Sequence, residues 1–275
     1  MRDFAPGRYA LALAIALVAA TAFGRVAAAA NDLYRAQAFV TGQGETERAR
    51  GFALCFEAVL VKVSGDPRLA RDPAAARLAA QASDFVIGFD YHDRMSGIPV
   101  HDEQGTRDRP FDLTVAFDPQ KIDGALRSLG RTTWPEPRPR LAVILGVRDA
   151  TASYVLSEDG ERGLGQRQSL AAAAAQHGLP LVLPSSARLA AEHVTYGGLS
   201  SLSSSRLRSV AKANGGAAAL VGTLVWTEAA LGWTTHWRLR WHGREHRWQI
   251  RGVSFDDAFR NGIDGAMAVL SGHGG

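Results

Sequence analysis

The sequence predicts an α/β (α+β) chain in two parts: a small N-terminal α+β domain, then a three-layer domain of order β-α-β-α-β-β-β-α. Three observations predict it. From Leu141 to Val147 no side chain is polar, and an unbroken apolar run this short is a strand buried on both faces. Two later runs, 179–184 (LPLVLP) and 218–226 (ALVGTLVW within it), have the same character, with helix-like sequence between them. Ahead of all three lies Thr132-Thr133-Trp134-Pro135-Glu136-Pro137-Arg138-Pro139. Closely spaced prolines favour extended backbone and cannot propagate a helix, so this stretch is expected to be a stiff connector between domains at 31–131 and 140–275, with Trp134 docked on one of them.

In chain order, the first thirty residues carry Arg2 and Arg8, an apolar run from Tyr9 to Phe23 and the exit Ala27-Ala28-Ala29-Ala30. A basic start, a short apolar middle and a small-residue exit predict a secretory signal peptide, residues 1–30, cleaved beside Ala29 or Ala30. The run is shorter than the ~20 residues a spanning helix needs. No later segment is long and apolar enough to span, so no transmembrane segment is expected after cleavage. The formal net charge is +4; removing Arg2, Arg8 and Arg25 with Asp3 would lower it by two. An exported protein of such modest charge is not expected to bind nucleic acid. The chain has one cysteine, which cannot form an internal disulfide, so stability must come from a packed core. Cys55 lies among Phe52, Leu54 and Phe56 with nothing nearby to stabilise a thiolate, and reads as a buried, inert thiol.

Residues 33–40 read as a strand ended by Thr41-Gly42-Gln43-Gly44. From Glu45 to Val63 the apolar positions 49, 52, 53, 56, 59, 60 and 63 include one helical face, which Ser64-Gly65-Asp66-Pro67 stops. A shorter Ala-rich helix over 73–83 can start from an Asp72 cap. Strands follow at 85–92 and 109–117, the latter alternating Phe111, Leu113, Val115 and Phe117 with smaller or polar residues, then a helix from Pro119 to Leu129. In the second part, 148–163 is a long polar loop, 165–177 a helix ended by Gly178, 185–203 partly helical, and 204–214 a helix with Leu207, Val210 and Ala211 inward. Thr235, Trp237, Leu239 and Trp241 then alternate with His236, Arg238, Arg240 and His242. Gly243 permits a turn, and 246–251 returns with Trp248 and Ile250 on the dry side. Ser254 and Asp257 cap a last helix with a stripe of Phe255, Phe259, Ile263, Ala266 and Leu270.

The segments FALCFEAVLVKVSGDPRLARDP, GLPLVLP, AALVGTLVW and GWTTHWRLRW together resemble an uncharacterised family of exported Gram-negative proteins, domain of unknown function two-thousand-and-sixty-six. The resemblance implies a periplasmic protein and supplies no catalytic residues. More loosely, the element order of the second part is similar to envelope domains such as the amino-terminal domain of TolB, the curli-pore subunit and the lipoprotein activators of peptidoglycan synthases, a likeness of fold that fixes no function.

Catalytic and ligand signatures are weak. Gly160-Glu161-Arg162-Gly163-Leu164-Gly165 has a spacing unlike the dinucleotide fingerprint and lies far from its strand, so it reads as a loop. Ser209-Val210-Ala211-Lys212 fits S-x-x-K without the companion K-T-G. His242 and His246 have a metal-like interval only on a helix, and His92, His101 and His193 have no partner at ligand spacing. Glu57, Asp66 and Asp90 are carboxylates with no pattern to pair them. No cofactor is implied and no metal site. What remains is a basic stripe: His236, Arg238, Arg240 and His242 on one strand face, with Arg247, Gln249 and Arg251 on the next. If the hairpin forms, these converge on one surface suited to an anionic glycan, lipid headgroups or an acidic protein of the envelope. A solvated sheet face is the plainer alternative. The expected role is thus non-catalytic binding or scaffolding in the periplasm, the alternative being a glycan-directed hydrolase or transferase with unidentified carboxylates.

Overall fold

The computed structural model describes residues 32–97 and 109–274. The expected signal peptide lies outside the described residues, as does His101. The described residues fall into two compact units, one within Met1–Val59 and Ala80–Ile122, the other within Leu60–Ala79 and Asp123–Gly275.

The first unit is a three-stranded antiparallel sheet in the order β1 (Arg35–Thr41), β3 (Pro110–Phe117), β2 (Val86–Asp93). Helix α1 (Glu45–Ser64) begins here, and its residues to Val59 cover one sheet face. Alternation decides which face: Val40, Leu113, Val115 and Phe117 point inward and meet Phe52, Phe56 and Val59, all buried. The helix approaches closely at Gly51, where a Cβ would lie 2.5 Å from Leu113 Cδ2. Cys55 is buried as expected, its Sγ 3.9 Å from the Leu113 carbonyl oxygen. The opposite face carries Arg35, Gln37, Asp90 and His92 and is wet.

In the second unit, the end of α1 is closed by Gly65, whose φ of 71° is the left-handed conformation of a helix terminator. A 3₁₀ turn, α2 (Pro73–Ala79) and α3 (Pro119–Ser128), the last shared between the units, lead to the proline-rich stretch. That stretch is pinned within this unit. Trp134 donates its backbone N–H to the Val63 carbonyl at 2.8 Å, and the Arg138 guanidinium lies 4.5 Å from the Trp134 ring centroid. Arg138, only 7% exposed, donates to the carbonyls of Lys62 (2.6 Å) and His177 (2.9 Å).

The sheet of this unit runs β5 (Ser153–Val155), β4 (Leu141–Arg148), β7 (Ala218–Thr227), β8 (Gly232–Trp241), β9 (Arg244–Val253), with β6 (Leu181–Val182) also on β4. β4 pairs parallel with β7 over its whole length and is buried on both faces. The element order agrees with expectation, with two differences. The apolar run 179–184 contributes only two strand residues, because prolines at both ends deny the ladder its donors. The polar loop after β4 holds a short antiparallel strand, β5. Helices α4 (Leu164–Gln176) and α7 (Phe255–Leu270) cover one face; α5 (Ser186–Ala191), a turn at Leu199–Ser201 and α6 (Ser204–Ala213) cover the other over β4 and β7. Under α7 lies Trp237, 2% exposed, its ring fitted against Gly222 of β7 and Gly262 of α7. Trp248 fits Gly265 in the same manner.

Candidate functional site: a basic hairpin face beside a groove

The two strands β8 and β9 are joined by His242-Gly243 alone, with φ of 46° and 81°. Two left-handed residues make the tight turn whose twist matches that of the flanking strands. His242 therefore belongs to the turn and not to the strand face on which it was expected; it is exposed there. His246 lies on the dry side of β9, opposite Leu239.

The register pairs His236 with Gln249, Arg238 with Arg247, Arg240 with Glu245 and Thr234 with Arg251. Directly paired residues share a face in an antiparallel ladder. His236, Arg238, Arg240, Arg247 and Arg251 thus come together on one side, as the alternation predicts. Trp237 and Leu239 are buried on the other, with Trp241 half-buried.

Arg238 differs from expectation. Instead of pointing to solvent it is half-buried, and its guanidinium donates to the Leu199 carbonyl at 2.7 Å and the Leu202 carbonyl at 3.4 Å. The reason is the layer above: α5, the 199–201 turn and α6 end over β7, and Arg238 reaches across from the first uncovered strand. Like charges opposite each other repel; here Arg238 turns to the carbonyls while Arg247 Nε donates to Glu245 at 2.7 Å. The Arg247 hydrogen bond, aided by the charges of Arg247, Arg238 and Arg240, holds the Glu245 carboxyl below its usual range. His236, Arg240, Arg247 and Arg251 remain exposed.

Because the helical cover stops at β7, a groove runs along β8. One chamber of about 450 Å³ is lined by Leu199, Val221, Thr223, His236, Arg247 and Gln249. A second of about 370 Å³ lies beyond Arg238, lined by Ser204, Arg208, Ala219, Arg240, His242 and Glu245. Arg238 borders both. Arg208, on α6, adds a cation that the strand pattern could not reveal.

The remaining candidates have structural surroundings. Gly163 caps α4 with φ 82°, and Arg167 folds back onto the Arg162 carbonyl at 2.7 Å. Ser209 and Lys212 are exposed on α6, and His92 and His193 are exposed elsewhere. Glu57 is half-buried on α1, and burial raises its carboxyl. Burial alone would raise Asp66 too, but hydrogen bonds from Arg68 (2.8 Å) and Arg131 (2.7 Å) prevail and hold it at about 2. Asp90 is exposed on the wet face of β2. Among the described residues, no group of three or more His, Cys, Asp or Glu side chains is arranged to hold a metal ion, and no helix is long and apolar enough to cross a membrane.

The pair His177 and Asp264 escaped sequence reasoning, since α4 and α7 bring them together from distant positions. His177 Nε2 lies 2.6 Å from Asp264 Oδ1, outside aligned hydrogen-bond geometry. Burial, with the charges of Lys62 and Arg138, lowers His177 to about 4. Burial raises Asp264 to about 6 against the opposing charges of Arg260 and Arg71.

Residues 27–135 match a family described as Domain of unknown function (DUF8605). This corrects the expected resemblance: the family found is a different one, and three of the four segments that suggested the other, GLPLVLP, AALVGTLVW and GWTTHWRLRW, lie beyond the matched residues. The likeness to TolB-type envelope domains is likewise unsupported, for no curated protein and no solved structure matches the chain.

Proposed function

We propose that this is an exported, periplasmic protein whose role is non-catalytic binding in the cell envelope, with the wet face of β8 and β9 taking an anionic partner. Export rests on the basic start, apolar run and alanine exit of residues 1–30. Binding rests on one observation: His236, Arg240, Arg247 and Arg251 stand exposed together beside an open groove, with Glu245 as the acid among them. Guanidinium groups meet carboxylate, phosphate or sulfate through paired planar donors. An open groove and a free sheet edge suit a binding surface better than the deep, water-excluding cleft that acid–base chemistry uses.

The test is the affinity of the full chain for defined polyanions, namely polyglutamate, a sulfated glycan and anionic-lipid vesicles, against the triple substitution Arg240→Gln, Arg247→Gln, Arg251→Gln. Binding to at least one is expected, weakening with salt, and weaker by about tenfold or more in the triple variant as charge-assisted contacts are lost. Equal binding by both proteins, or binding to none, would refute the assignment.

A further inference from the structure

The outer edge of β9 is open. It is the last strand of the sheet, ten residues long, and among the described residues no backbone hydrogen bond reaches its far side. The two-residue turn fixes which groups face outward. Trp241 and Arg244 flank it and form a hydrogen-bonded pair, so Leu239–His246, Trp237–Trp248 and Thr235–Ile250 are bonded pairs too. The backbone N–H and C=O of Glu245, Arg247 and Gln249 therefore point away from β8, toward the unoccupied edge.

We infer that this edge accepts an extended acidic polypeptide segment as an added antiparallel strand. The inference deepens the proposed function and rests on it, naming the partner class for the same basic face. Two properties of β9 select the guest. Residues whose backbone is free, Glu245, Arg247 and Gln249, are also those whose side chains lie on the basic face. A residue bonded to Arg247 would place its own side chain on that face, so a carboxylate there lies next to Arg247, and a second one further along the guest approaches Arg251, four residues on along β9. The alternate positions of the guest fall on the other face beside Trp248 and Ile250, both half-buried at the margin of α7. The guest pattern is thus acidic residues alternating with apolar ones.

The same charges exclude the commonest wrong guest. A second copy of β9 added antiparallel about Arg247 would set the two Arg247 side chains against each other, with one glutamate per strand in compensation. Charged edge residues are a usual defence against such self-pairing. An acidic strand reverses that repulsion.

The experiment uses the full chain and a short synthetic peptide alternating glutamate with valine or threonine. Two isomers carry N-methyl groups, one on the glutamates, whose N–H groups would face β9, and one on the intervening residues, whose N–H groups would face away. Methylation of the glutamates is expected to weaken binding by about tenfold or more, since several backbone hydrogen bonds are lost, while methylation of the others leaves it within about threefold. Hydrogen exchange read by NMR should slow at the amides of Glu245, Arg247 and Gln249 on binding. Binding indifferent to the methylation pattern, with exchange at these amides unchanged, would overturn strand addition and leave the basic-face reading standing. So would binding of a sulfated glycan without binding of the peptide, which would assign the face to carbohydrate. Binding of neither would remove both.

Discussion

Replacing Gly222 with alanine probes the packing that aims the hairpin. A Cβ on Gly222 would lie 2.3 Å from Trp237 Cζ3, 2.5 Å from Cε3 and 2.9 Å from Leu145 Cδ1. A buried indole under a 16-residue helix has little room to retreat, for Gly262 of α7 is equally close on its other side, a Cβ there falling 2.5 Å from Trp237 Cε2. Overpacking of this kind costs about 1–3 kcal/mol, and alanine recovers about 0.5–1 kcal/mol of the conformational freedom glycine loses in a strand. The expected net loss is about 1–2 kcal/mol. In a Trp237→Leu background the space is free, so Gly222→Ala should be neutral or slightly stabilising, and the two substitutions should couple by about 2 kcal/mol, within the range for residues in contact. The assay is urea unfolding followed by tryptophan fluorescence, which reports the second unit alone because all six tryptophans lie in it. With a slope of about 2 kcal/mol/M, the single substitution should lower the midpoint by about 0.5–1 M. A Gly222→Ala protein as stable as the parent, with no coupling to position 237, would refute this packing.

Arg238→Gln should destabilise by about 1.5–3 kcal/mol, the range for hydrogen bonds made by a charged group, whereas Arg240→Gln should fall within about 0.5 kcal/mol; equal urea midpoints for the two would contradict the structure. His177 and Asp264 make opposite contributions in acid. His177, lowered from 6.5 to about 4, is protonated only in the unfolded chain between those values, so acidification destabilises. Asp264, raised from 3.8 to about 6, is protonated only in the folded chain over its window, so acidification stabilises. Asp264→Asn should therefore lose stability more steeply than the parent from pH 6.5 to 4, and His177→Asn should gain between pH 6 and 4; identical pH profiles by urea unfolding would refute both directions. A fragment of residues 138–275 lacks Leu60–Ala79 and with it the Lys62 carbonyl that receives Arg138. It should unfold at lower urea than the full chain, and an equal midpoint would make the proline-rich stretch a plain connector.

Periodicity made much of this architecture legible. The helical face from Glu45, the double-faced burial of Leu141–Val147 and the alternation around Trp237 each follow from where apolar side chains recur, and each element is present. LPLVLP misled because buried coil and buried strand share a composition, and only the lack of proline N–H groups separates them. The hairpin turn was misplaced by one residue since His-Gly is not among the strong turn dipeptides, so His242 read as strand. The basic face itself was visible in alternate residues, but alternation says which side a residue takes, not what lies above it. The burial of Arg238 depends on the carbonyls of Leu199 and Leu202, nearly forty positions earlier. The glycines at 222, 262 and 265 carry no apolar signal in the sequence, yet they are the recesses that admit two indoles.

The most direct measurement of the central claim is the location of binding. Amide hydrogen exchange across the full chain, with and without saturating polyglutamate, should show protection concentrated in residues 234–251 and along the groove floor at 221–223. Protection confined to the first unit, or to the α4 and α7 face of the second, would contradict the assignment of the basic hairpin as the binding surface.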